Sequence, residues 1–376
     1  MLLHDALAPV TNRKMTRHTR TRVTSTQVAK LAGVSRTTVS FVLNDVPHMG
    51  ISEETRQRVL NAARQLGYVP NAAARSLVSG ATRTVAIVVP HSEHLRVDAF
   101  IPRMLAGVND TCHTHGYKVL FEPMVEAAGN PGGFLDLVDS RRIDGLIAIN
   151  TPRVDDVHLQ RLAAEGFPLV VFGSNLAEHA TLYSIDVNMR EASRVATRHL
   201  LALGHRRVAY IGFGSIEYHG VSERLYGYSD AMREFDIEVD SRRVGFANFS
   251  AQSGYDAMNA MLERDSSLTA LFAGNDTIAF GAMAALRDAG LRIPDDVAVV
   301  GYDDIPLAAY AAPPLTTMRT SPYEQACEAA NLLVRLMAGE RPAQLHSMNP
   351  VPLIVRESCG SAISDTKRQS AAPPDG

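Results

Sequence analysis

From residue 84 onward, short apolar segments rich in Val, Ile, Leu and Phe alternate with amphipathic helical patterns. A strand that is buried on both faces is a continuous apolar run, and intervening helices supply the crossovers that a parallel sheet requires. Seven segments fit this description: 85–89, 118–121, 145–149, 169–172, 207–211, 270–272 and 297–300. They are too many for one small sheet, so we predict an α/β core of two doubly wound parallel sheets.

The composition suits a large globular protein. The 376 residues are 46% hydrophobic and 20% charged, which favours more than one domain. We find neither a long apolar span nor a signal-peptide pattern, and we therefore expect a cytoplasmic protein. Cys112, Cys327 and Cys359 lie far apart. Their spacing predicts no disulfide framework and no metal site, and we expect no cofactor.

The net charge of -3 conceals a basic N-terminal region. Residues 1–83 contain 12 Lys or Arg but only 4 Asp or Glu, and the rest of the chain is acidic. A basic head on an acidic body is the charge distribution of a polyanion-binding domain attached to another module.

Residues 24–44 have the pattern of a helix–turn–helix. Thr24 and Ser35 can each cap a short helix, and Gly33 suits the tight turn between the two helices. The second helix would enter the major groove with Arg36 and Thr37 at the base edges, where Arg can bond guanine O6 and N7. A third helix is predicted from Ser52, and nearby hydroxyls are suited to phosphate oxygens.

The segments 27–44 (QVAKLAGVSRTTVSFVLN) and 66–77 (LGYVPNAAARSL) closely resemble the LacI (lactose repressor) family, and the resemblance continues to about residue 358. It implies a hinge helix at 71–77 that folds on DNA, with Leu77 wedged into the minor groove. Phe41 stands where the family often has Arg, so we expect a different operator sequence. The predicted DNA-binding residues are Thr24, Ser35, Arg36, Thr37, Thr38, Ser40, Phe41, Asn44, Tyr68, Asn71, Ala74 and Leu77.

The resemblance also implies a core like that of periplasmic sugar-binding proteins, with an effector in the cleft between two subdomains. The predicted effector-binding residues are Asp98, Phe100, Ser222, Arg224, Phe249, Asn275, Asp303 and Thr320. Their chemistry suits a polyol, although Arg also suits a sugar acid or sugar phosphate. Structural roles are the alternative: Asp276 and Asp304 could cap helices or hold strand ends, Arg224 could be an ion-pair partner, and Phe249 could belong to the core.

The predicted organisation is a disordered basic arm (1–21), a helix–turn–helix domain (22–68), a hinge helix or linker (69–82), an effector-binding and dimerisation core (83–362) and a disordered tail (363–376). Within the core, the N-subdomain comprises about 83–173 and 319–348. The C-subdomain comprises about 174–318 and 349–362.

We therefore predict a non-enzymatic transcriptional repressor that binds pseudo-palindromic double-stranded operator DNA as a homodimer. A small sugar-like effector would control this binding, by induction or by corepression, and no membrane is involved. The alternatives are an exported sugar-binding transport protein, a corepressor-dependent regulator of non-sugar metabolism, and a nucleotide-dependent enzyme. The last is disfavoured because Gly212 and Gly214 lack the third glycine of a dinucleotide-binding loop.

Overall fold

The computed structural model describes residues 23–44, 49–70, 76, 80–89, 94–97, 99–123, 132–173 and 182–361. The chain divides into two compact units, Met1–Thr82 and Arg83–Gly376, and each is described by itself below. Among the described residues, no helix is long and apolar enough to span a membrane. The predicted basic arm and disordered tail lie outside the described residues.

The first unit contains a three-helix head, formed by α1 (Ser25–Ala32), α2 (Arg36–Leu43) and α3 (Glu53–Leu66). The turn between α1 and α2 requires Gly33, whose φ of 67° is in the left-handed region. Val28, Val39 and Val59 are fully or almost fully buried and hold the three helices around one small core. The head therefore exposes the polar sides of all three helices.

The first six-stranded sheet belongs to what we call the first lobe. Its strands run in the order β11-β5-β4-β3-β1-β2 and all pairs are parallel. Helices cover both faces of the sheet. The strands are β1 (Thr84–Val89), β2 (Lys118–Pro123), β3 (Gly145–Ile149), β4 (Leu169–Phe172), β5 (Tyr183–Val187) and β11 (His346–Asn349); the helices are α4 (His94–Val97), α5 (Phe100–Thr114), α6 (Leu135–Asp139), α7 (Asp156–Ala164) and α12 (Pro322–Met337).

The second lobe repeats this plan. Its strand order is β12-β10-β9-β8-β6-β7, and all pairs are parallel except the antiparallel pair of β10 and β12. The strands are β6 (Val208–Gly212), β7 (Val244–Phe246), β8 (Ala270–Ala273), β9 (Ala298–Asp303), β10 (Thr316–Arg319) and β12 (Leu353–Ile354); the helices are α8 (Met189–Ala202), α9 (His219–Glu234), α10 (Ala251–Arg264) and α11 (Asp276–Asp288).

The chain passes between the lobes three times, and one predicted boundary is wrong. We expected the first crossing near residues 173 and 174. Instead β5 pairs with β4 in the first sheet, so this crossing follows Val187. The other crossings follow β10 and β11. Both sheets have the doubly wound order that opens a crevice at the carboxyl ends of the strands, where ligands bind in such folds.

Asp276 ties three elements of the second lobe together. It begins α11 and is fully buried. Its carboxylate accepts hydrogen bonds from the Ile305 backbone N (2.8 Å) and the Thr317 hydroxyl (2.6 Å). Burial raises its pKa to about 8, because a charged carboxylate loses its hydration there. The folded protein therefore holds a proton on Asp276 that the unfolded chain releases near pH 4.

This raised pKa predicts a loss of stability with increasing pH. The contribution of Asp276 is fully present below about pH 4 and falls until the pH passes about 8. We expect Asp276→Asn to remove about 2 kcal/mol of the decrease in unfolding free energy between about pH 6 and pH 8. Urea denaturation at each pH measures this, with the exposed Asp295 changed to Asn as the control. An unchanged slope in Asp276→Asn would contradict the assignment.

Candidate functional site

The exposed face of α2 carries the side chains predicted to read DNA bases. Arg36 and Thr37 are exposed in the first turn, whereas Val39 and Val42 face the head core. Arg36 makes no hydrogen bond or ion pair with the described residues. Phe41 is half-buried and is not part of the head core. A cation at the start of an exposed helix is the geometry with which helix–turn–helix proteins enter the major groove.

The hydroxyls around this face also have structural roles. The Thr24 side chain caps α1 in a capping box with Gln27, and Ser35 caps α2 by accepting from the Thr38 backbone N at 3.0 Å. The remaining predicted contacts are placed as follows: the Asn44 amide donates to the Ser40 hydroxyl at 3.2 Å, Tyr68 packs against the head core, and Asn71, Ala74 and Leu77 lie outside the described residues.

In the second unit, a cleft between the lobes brings together five of the predicted effector-binding residues. Its cavity volume is about 20 Å³, and its lining includes Phe100 from the first lobe and Arg224, Phe249, Asn275 and Asp303 from the second. Each of the last three lies at or beyond the carboxyl end of a strand, where both sheets open. Phe249 and Asp303 also have left-handed backbones, with φ of 73° and 111°, a strain that concentrates at ligand sites.

Arg224 is the charged centre of the cleft. Its guanidinium carbon lies 3.6 Å from the ring centre of Tyr302 and 4.4 Å from that of Phe213. One terminal nitrogen donates to the Gly274 carbonyl, and the other lies 3.8 Å from the Asp303 carboxylate. The Arg224 and Asp303 side chains are only 7% and 5% exposed, so this is a buried ion pair. Arg224 is therefore an ion-pair partner, as the structural alternative in the sequence analysis proposed.

Two buried polar atoms of the cleft lack a partner. Within the described part of the chain, neither Arg224 Nε nor Asn150 Oδ1 has a hydrogen-bond partner. An unpaired buried donor or acceptor costs roughly 1–3 kcal/mol, and a ligand hydroxyl could satisfy either kind. The Asn150 amide occupies its position because residue 173 is glycine: an added Cβ would lie 1.8 Å from Oδ1. The cleft thus offers a donor and an acceptor to a polar ligand.

Two predicted effector residues, Ser222 and Thr320, do not line the cleft. The Ser222 hydroxyl accepts from Arg153 Nη2 at 2.7 Å and does not line the cleft. The Thr320 hydroxyl donates to the Asp303 carbonyl at 3.2 Å, and Thr320 lines a second cavity instead. Asp98 lies outside the described residues. The effector contacts of Ser222 and Thr320 stay predictions, and in this structure each side chain is turned to a neighbouring group.

The sequence analysis missed Asn150, Phe213 and Ile101, which also line the cleft. Asn150 directly follows β3, and Phe213 directly follows β6. Both strands were among the predicted apolar runs, and a residue just beyond such a run faces the crevice of a doubly wound sheet. For Asn150 and Phe213, the position directly after a predicted strand was therefore a sequence signal that could have identified them.

The lobes are joined at one side of the cleft by what we call the latch, residues 152–156 and 217–222. Pro152 and Tyr218 form an isolated antiparallel bridge. Arg153 donates to Ser222, as described above, and His219 Nε2 lies 3.0 Å from Asp156 Oδ2. Because these bonds span the two lobes, separating the lobes would break them. The latch therefore distinguishes a closed cleft from an open one.

A helix–turn–helix head followed by a hinged, two-sheet ligand-binding core defines a DNA-binding regulator that responds to a small molecule. Residues 26–71 match the family described as "Bacterial regulatory proteins, lacI family", and residues 197–359 match "Periplasmic binding protein-like domain". The chain belongs to the LacI family. Its relatives include the HTH-type transcriptional regulator CelR of Thermobifida fusca, which is 36% identical over 90% of this chain and 99% of CelR.

Other relatives and solved structures agree. The HTH-type transcriptional repressor PurR of Haemophilus influenzae (strain PittEE) is 31% identical over 89% of this chain and 98% of its own. The lac repressor dimer bound to operator and the anti-inducer ONPF has a TM-score of 0.78 at 26% identity, covering 90% of this chain and 99% of that one. A CelR–cellobiose complex has a TM-score of 0.66 at 34% identity, covering 90% and 100%. The predicted family, fold class and regulatory function are confirmed.

Proposed function

We propose that this chain is a repressor whose operator affinity is set by an uncharged sugar or sugar derivative bound in the cleft. The observation that carries the proposal is the compensation of Arg224 by Asp303. A free arginine would favour a carboxylate or phosphate. Here the positive charge already has a buried partner, so a charged ligand would have to displace Asp303 or bury an uncompensated charge, which costs several kcal/mol.

The unpaired atoms of the cleft favour hydroxyl groups. A sugar hydroxyl can accept from Arg224 Nε and donate to Asn150 Oδ1, which satisfies both atoms at once. Phe249 and Phe213 meet edge to face, with ring centres 5.4 Å apart, and supply an apolar wall for the C–H face of a sugar ring. CelR, a relative that is 34% identical in its solved structure, was determined with cellobiose, which supports a neutral oligosaccharide.

The lobe contacts suggest how the ligand is coupled to DNA. With the latch formed, the cleft is narrow, so a disaccharide must enter an open form and then bias the balance between open and closed lobes. A ligand shifts such a balance only by its difference in affinity for the two states. We propose that the shift reaches the head through residues 69–82. Release of DNA is the effect we favour, and corepression of a non-sugar pathway is the alternative.

On the DNA side, we propose a homodimer that reads two half-sites, because one recognition helix spans too few bases. Arg36 and Thr37 would contact base edges. Hydroxyls of Thr24, Ser35, Thr38 and Ser40 would contact phosphates. A protein with this role acts on chromosomal DNA in the cytoplasm and needs no catalytic site.

Ligand titration of the purified full-length chain tests the proposal. Cellobiose and cellobiouronic acid are matched probes, because the acid keeps both sugar rings and carries a carboxylate in place of one hydroxymethyl group. We expect cellobiose, or another neutral sugar from a panel, to raise the melting temperature and to change the affinity for an operator selected from random DNA. The charged probe should do neither. A response restricted to acids or phosphates would overturn the uncharged-ligand proposal, and a bound sugar without effect on operator affinity would overturn the coupling.

A further inference from the structure

A second cavity lies beside the interlobe crossings, separate from the cleft lining described above. It is larger, with a cavity volume of about 240 Å³. Its walls come from α5 of the first lobe, the segment after β9, the end of β10, the start of α12 and the segment after β12. It therefore lies between the two lobes, beside the crossing that follows β10. We call it the hinge cavity.

The hinge cavity is lined by three arginines and only two acids. Arg319 Nε lies 2.5 Å from one Asp304 oxygen, and Arg356 Nη2 lies 2.7 Å from the other. One buried carboxylate thus faces two guanidinium groups. The other acid, Glu324, is exposed and makes no ion pair with a described residue.

Two of these guanidinium groups retain unused donors. Arg319 Nη2 is buried and has no hydrogen-bond partner among the described residues. Arg103, half-buried on α5, forms no hydrogen bond or ion pair with any described residue. The start of α12 adjoins them, and its cap residue Ser321 makes no side-chain cap bond. A helix N-terminus adds positive potential to what the arginines already supply.

From this arrangement we infer that the hinge cavity binds a small anion that carries a phosphate or carboxylate group. Arginine matches both groups because its planar donors fit their oxygens in pairs. Arg103 belongs to the first lobe, whereas Arg319 ends β10 and Arg356 follows β12 in the second lobe. An anion held by both sides would favour one arrangement of the lobes and so change the affinity of the cleft for its effector. By linkage, the effector would change anion affinity by the same factor.

The test is a titration of the full-length protein with inorganic phosphate and with citrate, at ionic strength held constant with sodium chloride. We expect saturable binding by calorimetry and a rise in melting temperature for at least one of the two anions. Arg103→Gln should weaken binding on the order of tenfold, because it removes one charge-assisted donor. The variant should fold, since Arg103 has no partner to lose among the residues that the structure describes.

Arg142→Gln is the matched control, because Arg142 is exposed in the same lobe, outside the cavity, and likewise makes no side-chain pair with a described residue. It should bind the anion as the unmodified protein does. Equal weakening by the two variants would reveal a general charge effect and overturn the inference, as would the absence of saturable binding. Anion binding that survives Arg103→Gln unchanged would place the anion elsewhere, for example on the basic head. None of these outcomes depends on sugar binding in the cleft.

Discussion

Changing Arg224 to Ala is expected to abolish the effector response, with effector affinity falling roughly 100-fold or more. The substitution removes a donor that faces the ligand and leaves Asp303 buried without its cation. Breaking a buried ion pair on one side costs about 3–5 kcal/mol, so the core should also lose stability. Operator affinity without effector should be unchanged, because Arg224 is not part of the head. Calorimetry with the identified sugar and anisotropy with labelled operator measure the two effects.

Arg224→Lys separates binding from folding. Lysine keeps a positive charge near Asp303 but lacks the planar group that lies over Phe213 and Tyr302, and it has no equivalent of Nε. We expect the core to stay folded while effector affinity falls by roughly tenfold to 100-fold. Arg233→Lys on the same helix is the control, because Arg233 is exposed and pairs only with Asp230 at 2.9 Å. Full effector affinity in Arg224→Lys would exclude a direct role for the guanidinium.

The parallel sheets could be predicted because their central strands are unbroken apolar runs, but β5 could not. Its sequence, Tyr-Ser-Ile-Asp-Val, places two polar residues inside a buried strand. The Asp186 carboxylate is accommodated by the Gly173 backbone N at 2.9 Å, and burial raises its pKa to about 7. The Thr316 and Thr317 side chains of β10 are buried in the same way, by bonds to Cys359 and Asp276. Such pairings join residues far apart in sequence and leave no local pattern.

The residues of the cleft, too, could be predicted only in part from the sequence. Spacing and family resemblance place Arg224, Asn275 and Asp303 at strand ends or in the helix that follows, and the structure brings them to one cavity. Spacing and family resemblance do not determine the direction in which each side chain points. Asn275 also caps α11, accepting from the Ile278 backbone N at 2.8 Å, and Asp304 pairs with arginines of the hinge cavity. Asp276 and Asp304 thus have partners within the second lobe, and adjacent residues of one motif contact different groups.

Changing Arg36 to Ala is expected to weaken operator binding by roughly tenfold to 100-fold for each half-site, since a bidentate contact to guanine contributes about 1–3 kcal/mol. A dimer bound to two half-sites loses both contacts, so the total loss of operator affinity approaches the product of the losses at the two half-sites. The head should remain folded, because Arg36 is exposed and has no partner in the described residues. Anisotropy titrations with the selected operator and with a scrambled duplex, each at two salt concentrations, give the affinities.

Arg58→Ala in α3 is the matched control, since it removes the same charge from the same head, where Arg58 donates to Thr55 at 3.2 Å and to no other described residue. An arginine that reads bases lowers the ratio of operator affinity to scrambled-duplex affinity, whereas one that contacts phosphate lowers both affinities together and reduces the salt dependence. We expect the first pattern for Arg36 and an unchanged ratio for Arg58. Arg36→Ala could instead weaken binding to both duplexes equally. Arg36 would then contact the DNA phosphate backbone, and another element of the head would have to supply sequence recognition.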